Sequence, residues 1–330
     1  MRTAGSGLRV LLVGGAGFMG RVTARAMLDA GHHVTVLSRG TRPAVGGAEH
    51  LVADRGDPAA LAAALEGRRF DFTVDFVAYD AADVERLLLV PHAALGRYVV
   101  ISSGQVYLVA QGAMPPFREE DSEHPVTPEP PGGTPDHNEW SYGVGKRRAE
   151  GVLLKLRVTH GVRGVALRLP NVQGEGDPYL RLWPYLERMM DGGPLLLPED
   201  GATATRPIYV ADVARALVRL LESPPPRNAI YNLAQPEVLP LREFLERVAR
   251  AAGFTPRFIG ISWEELLTAG LDRSVSPLSG PWCSVPDPSR ATAEWGFEGS
   301  SVAEYLPRVV RWQLEHRPSA SHPGYARRAI

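Results

Sequence analysis

Three glycines spaced three apart, Gly14, Gly17 and Gly20, follow directly on the short apolar run Leu8–Val13. That run reads as a central parallel strand covered on both faces. The residues after the glycines read as a helix to about Ala30, closed by Gly31. In such a turn the first glycine permits the tight bend. The second lets backbone approach a pyrophosphate, and the third lets helix pack against strand. The helix start then presents unpaired N–H groups and a positive dipole end to an anion. Gly14, Gly17, Phe18, Met19 and Gly20 are therefore candidates for cradling a dinucleotide.

The context supports this reading. His33–Leu37, His50–Ala53, Thr73–Val77, Arg97–Ser102 and Val162–Leu169 read as further strands. Helical stretches alternate with them: one opened by Asp57-Pro58, with proline in its first turn, then Ala81–Val90 and Tyr142–Thr159. Val210–Leu221 and Ala229–Leu233 read as a later helix and strand. Alternation of this kind predicts an α/β fold, a doubly wound parallel sheet with a smaller C-terminal substrate lobe. The expected division is 1–170 with 207–235 returning to it, against 171–206 and 236–330.

The chain contains 36 lysines and arginines, of which only Lys146 and Lys155 are lysine. Lys146 stands four residues after Tyr142, so on a helix the phenol and the ammonium share a face. A free phenol titrates near ~10, and a neighbouring cation brings it toward a useful acid/base range. The strand ending in Ser102-Ser103 delivers Ser103 to the carboxyl end of the sheet, where open α/β sheets build their sites. Ser103, Tyr142 and Lys146 are the candidate catalytic group. At the end of the second strand stand Ser38, Arg39 and Arg42, and the two arginines suit a 2′-phosphate, so NADP is favoured over NAD. Asp54 is placed to accept from an adenine amino group, or to cap its own loop. Ala78 completes the expected cofactor set.

Composition narrows the field. Net charge is −1, which offers no broad basic surface for nucleic acid or an acidic membrane. One cysteine, Cys283, excludes an internal disulfide and fits a reducing cytoplasm. No metal-ligand spacing is visible, so no metal is expected.

The set Gly14-x-x-Gly17-x-x-Gly20, Ser102-Ser103-x-x-Val106-Tyr107 and Tyr142-x-x-x-Lys146 resembles the extended short-chain dehydrogenase/reductase family, the NAD(P)-dependent epimerases, dehydratases and reductases with a Rossmann sheet. Leu167–Gly174, Thr205–Ala214 and Ser289–Phe297 are similar to later segments of that family. The resemblance implies that Ser103 binds the reacting oxygen and Tyr142 exchanges the proton. Lys146 lowers the tyrosine's pKa and holds the cofactor ribose. It also implies a small-molecule substrate contacted by Ser103, Gln105, Asn171 and Arg206, and a homodimer built on the helices at 81–90 and 142–159.

Two departures narrow the chemistry. Family dehydratases place Asp-Glu where this chain has Gly104-Gln105, so dehydration by that route is disfavoured. Epimerases grip a sugar-nucleotide diphosphate with two arginines. Arg206 matches the first, while Leu278–Val285 lacks the second. The expected activity is oxidoreduction or epimerisation of a sugar-nucleotide or other polar hydroxyl/carbonyl substrate. The alternatives are a ketoreductase on a non-nucleotide substrate, or a silent NAD(P)-binding regulatory or RNA-binding relative. The proline-rich segment Leu108–Glu139 reads as a long loop and a candidate lid, with Glu119-Glu120-Asp121 as a solvated charge run.

Overall fold

The computed structural model describes residues 7–320. These divide into two compact units: residues 7–169, 210–233 and 286–297, and residues 170–209, 234–285 and 298–320. In the first unit the strands are β1 (Arg9–Val13), β2 (His33–Ser38), β3 (Glu49–Val52), β4 (Phe72–Asp75), β5 (Arg97–Ser103), β6 (Gly164–Leu169) and β7 (Ile230–Asn232). Its helices are α1 (Phe18–Asp29), α2 (Pro58–Leu65), α3 (Ala81–Leu88), α4 (Gln105–Leu108), α5 (Pro135–Thr159), α6 (Val210–Glu222) and α7 (Ser289–Trp295). The strands form one sheet in the order β7-β6-β5-β4-β1-β2-β3, parallel throughout. The expected α/β fold is the one observed.

Local chemistry explains the boundaries. Asp57 caps α2 by accepting from the Ala59 and Ala60 amides, with Pro58 in the first turn, where its missing N–H costs nothing. Asp80 and Asp83 make a capping box on α3. Val10–Val13 are wholly buried, as a strand covered on both faces requires. The second unit is built around helices at Trp183–Met190, Leu241–Ala252 and Val302–Glu315, with short strand pairs at Leu195–Pro198/Phe258–Ile261 and Ala204–Thr205/Leu239–Pro240.

Three sequence expectations change. Helix α5 starts at Pro135 rather than Tyr142, because Thr134 caps it by accepting from His137 N. Residues 286–297, read as part of the C-terminal lobe, belong to the first unit. There Asp287 N donates to Phe117 O, and Asn232 Nδ2 donates to Asp287 O. The segment after α4, read as a long loop, is anchored up to Thr127, whose N–H donates to Val109 O. Glu119 is buried, accepts from Asn232 N at 2.9 Å and pairs with Arg290, so it is not part of a solvated charge run.

The anchor of that segment is Arg168, buried on β6. Its guanidinium donates to both Glu150 carboxylate oxygens (3.0 and 2.6 Å), to the Tyr107 hydroxyl (2.8 Å), to Glu119 O (2.8 Å) and to Ser122 Oγ (2.7 Å). Tyr107 in turn donates to Asn232 Oδ1 on β7 at 2.7 Å. One cation thus ties strand, helix and loop together. Arg168→Met leaves the buried Glu150 without its counter-ion, with only the neutral Ser102 hydroxyl still seen donating to it, and should cost about 3–5 kcal/mol in urea unfolding. Adding Glu150→Leu should recover part of the loss.

Candidate active site

The glycine turn has the geometry its spacing implies. Gly14 has φ of +79°, and a Cβ there would meet the Val77 side chain at 2.7 Å. A Cβ on Gly20 would lie 2.5 Å from Gly15 Cα, so this glycine is what lets α1 close onto the turn. Helix α1 begins after Gly17 with no side-chain cap and no acid in its first turn. The amides of Phe18, Met19 and Gly20 therefore have no intrahelical acceptor. At the end of β2, Ser38 Oγ contacts His50 Nε2 at 2.8 Å and accepts from Gly40 N. Arg39 and Arg42 are exposed beyond it. Asp54 accepts from Gly56 N at 2.8 Å, which is a loop-closing role. A dinucleotide's phosphates fit this donor set: free helical amides, a glycine cradle and two guanidiniums, with no acid at the α1 start.

Helix α5 carries Tyr142 and Lys146 to the carboxyl ends of β4 and β5. The approach is close because two glycines flank the pair's inner face. A Cβ on Gly145 would lie 2.4 Å from Tyr79 O, and one on Gly143 would lie 2.8 Å from Gln105 O. Lys146 is 2% exposed, and its Nζ donates to Ala78 O (2.7 Å) and Ile101 O (2.8 Å). Its ammonium lies 5.1 Å from the Tyr79 ring centroid and 5.6 Å from that of Tyr142. Tyr79 and Tyr142 are themselves 6.3 Å apart. Burial pulls the Lys146 pKa down to about 8, against the upward pull of Asp75 and Glu150. Tyr142 remains partly open to solvent.

Ser103 ends β5, two residues after the carbonyl that holds Lys146, and accepts from Gln105 N at 3.2 Å. That bond leaves the Ser103 proton free to point elsewhere. Gln105 is buried, and its side-chain amide donates to Glu139, one turn before Tyr142 on α5. Ala78, expected at the cofactor, contributes its carbonyl to Lys146. Sequence reasoning missed Tyr79 and Glu139: a lone aromatic in a strand-to-helix turn and an acid in a predicted loop carry no spacing signal.

Asn171 and Arg206 lie in the second unit. They line one narrow cleft with Gln173, Thr205 and Cys283. Arg206 spends its Nε and Nη2 donors on Gln235 O (2.9 Å) and Pro236 O (3.0 Å). Asn171 Nδ2 approaches Cys283 Sγ at 3.6 Å. Gln173, also missed, is fully buried with no partner for either amide atom among the described residues. Among those residues no group of acids, histidines and cysteine could hold a metal ion, and no helix is long and apolar enough to cross a membrane.

The close fit at Gly145 makes a sharp prediction. Gly145→Ala should lose about 1–3 kcal/mol in denaturant unfolding, because the new methyl has nowhere to go. Gly151→Ala on the same helix, where nothing lies within 4 Å, should be neutral or gain up to about 1 kcal/mol.

Comparison with known proteins agrees with this fold. Residues 10–234 match the model of the NAD dependent epimerase/dehydratase family. The chain is 28% identical over 313 residues to a 2′-dehydrokanamycin reductase of Streptomyces kanamyceticus, covering 92% of this chain and 75% of that protein. It is 26% identical over 362 residues to UDP-arabinose 4-epimerase 1 of Arabidopsis thaliana, covering 93% and 80%. Its fold is similar to that of UDP-glucose 4-epimerase from Thermotoga maritima, with a TM-score of 0.71 at 19% identity, covering 94% of this chain and 100% of the other. Glycine turn, parallel sheet and matched span together place the chain in the NAD-dependent epimerase/dehydratase family, the extended short-chain dehydrogenases/reductases.

Proposed function

We propose that this protein is an NAD(P)-dependent oxidoreductase that interconverts a ketone and a secondary alcohol on a polar, sugar-like small molecule. The observation that carries the reading is the buried Lys146 ammonium lying 5.6 Å from the Tyr142 ring centroid at the carboxyl end of the sheet. In the reducing direction Ser103 Oγ donates a hydrogen bond to the substrate carbonyl. Tyr142 gives its phenolic proton to that oxygen and is left as phenolate beside Lys146. A nicotinamide bound there would supply the hydride to the carbon. In reverse, the phenolate takes the hydroxyl proton. The glycine turn and the α1 amides would hold the pyrophosphate, and Arg39 and Arg42 would favour a 2′-phosphate, hence NADP.

Net reduction is favoured over sugar-nucleotide epimerisation by Arg206. Its Nε and Nη2 donate to two backbone carbonyls, and Leu278–Val285 supplies no second arginine. A diphosphate would meet few free donors there. Reductases and epimerases both stand among the relatives. Gln105 in place of an acid argues against water elimination. Homodimerisation through α3 and α5 belongs to the same reading. Leu154 and Val158, one turn apart on α5, are 40% and 86% exposed. Val158→Glu should lower the sedimentation mass from dimer to monomer.

The chemical test is Tyr142→Phe. It should cut turnover about 10²- to 10⁴-fold while the dissociation constant for NADPH changes little. Retained turnover would refute the assignment. Lys146 sets the pH dependence. Its pKa, lowered to about 8, means the ammonium is present below that value and lost above it. Support for the phenolate disappears with it, so turnover should fall as pH rises through about 8. Cofactor choice is read by titrating NADPH and NADH into the wild type and into Arg39→Ala/Arg42→Ala. The double variant should weaken NADPH binding alone. Release of tightly held NAD(H) from freshly purified protein would instead favour epimerisation with the cofactor recycled in place.

A further inference from the structure

Lys146 is a buried cation without an ion pair among the described residues, although acids surround it. Asp75, at the end of β4, is taken by Arg55 at 2.6 Å and by the Tyr98 hydroxyl at 3.0 Å. Asp83, on α3, faces Arg55 at 3.6 Å and Arg86 at 3.5 Å. Glu150, one turn further along α5, is taken by Arg168 at 2.6 Å. Each nearby carboxylate is thus engaged by a guanidinium. What touches the ammonium is two carbonyl oxygens and two aromatic rings.

One of those rings belongs to Tyr142. The other, Tyr79, has no assigned part. It is 53% exposed, yet its backbone is held: its N–H donates to Asp83 Oδ2 at 2.8 Å, and its carbonyl packs against Gly145. The ring centroid lies 5.1 Å from Nζ, inside the range where a π face attracts an ammonium.

A carboxylate at that position would keep Lys146 protonated but cancel its field at the phenol. A π face has no net charge. It stabilises the ammonium and leaves the whole unit charge to act on Tyr142.

We propose that Tyr79 is a positioning residue that keeps Lys146 charged and directed at Tyr142 through its ring face, in place of a counter-ion. The link to turnover rests on the oxidoreductase reading above; the effect on Lys146 does not. The phenol hydroxyl of Tyr79 plays no part in it.

The chain's two lysines make the test clean. Full-length protein labelled with ¹³C-lysine gives two Cε signals, one from Lys146 and one from exposed Lys155, which serves as internal reference. The pH midpoint of the Lys146 signal is read in wild type, Tyr79→Phe, Tyr79→Leu and Tyr79→Trp. Wild type should titrate near about 8. Phe should match wild type, Leu should fall by roughly half to one pH unit, and Trp should rise. The alkaline limb of turnover should move with the midpoint, with kcat affected more than KM.

A Leu midpoint equal to wild type would overturn the proposal, as would a Phe variant that falls as far as Leu. A midpoint that moves while the alkaline limb stays in place would overturn the link to Tyr142. Should Tyr79→Leu fail to fold, the Phe and Trp variants still order the series. An inactive wild type would refute the oxidoreductase reading and leave the lysine titration readable.

Discussion

The burial of one ammonium governs the architecture around the candidate site. Lys146 loses its water and gains two carbonyls, from Ala78 after β4 and from Ile101 within β5. Those acceptors are available only if α5 rides low over the strand ends. Gly143 and Gly145 permit that height, because a methyl at either would strike backbone. The tyrosine one turn earlier is then set beside the cation at the sheet's carboxyl edge. Fold and the proposed chemistry meet in a stretch of five residues, Tyr142–Lys146.

Two buried cations in the same unit are handled in opposite ways. Arg168 is saturated: a bidentate carboxylate, a phenol, a carbonyl and a hydroxyl surround it, and it acts as a structural tie between β6, α5 and the 107–123 segment. Lys146 is left with carbonyls and π faces, and its pKa falls accordingly. A saturated charge is inert and stabilising in context. An unneutralised one is available to act on a neighbour. The arginine network also occupies Glu150 and Asp75, which would otherwise quench the lysine.

Much of the fold was legible because its signals are local. The glycine triplet, the Asp57-Pro58 helix start and the continuous apolar run Leu8–Val13 each declare themselves within a few residues. The 107–127 segment did not, because its anchors lie far away in sequence: Arg168, Asn232, Asp287 and Arg290. Prolines there read as a long loop and Glu119-Glu120-Asp121 as a solvated charge run, and only the fold shows that Glu119 faces an amide and a guanidinium. Arg206 matches a diphosphate-gripping position by its motif, and only the fold shows its Nε and Nη2 donating to Gln235 O and Pro236 O. Tyr79 had no pattern to announce it.

By itself, the amino-acid sequence determined the parallel α/β sheet, the phosphate-cradling turn and the pairing of Tyr142 with Lys146. These follow from strand and helix periodicity, from glycine's freedom in backbone angles, and from the four-residue repeat of a helical face. Tertiary structure alone decided the electrostatic state of that pair. Whether a lysine is solvated, salt-bridged or held by carbonyls and rings depends on which groups from β4, β5 and α3 arrive beside it. Those groups come from segments up to 71 residues away in the chain, as with Asp75 and Lys146, so no local pattern can encode them.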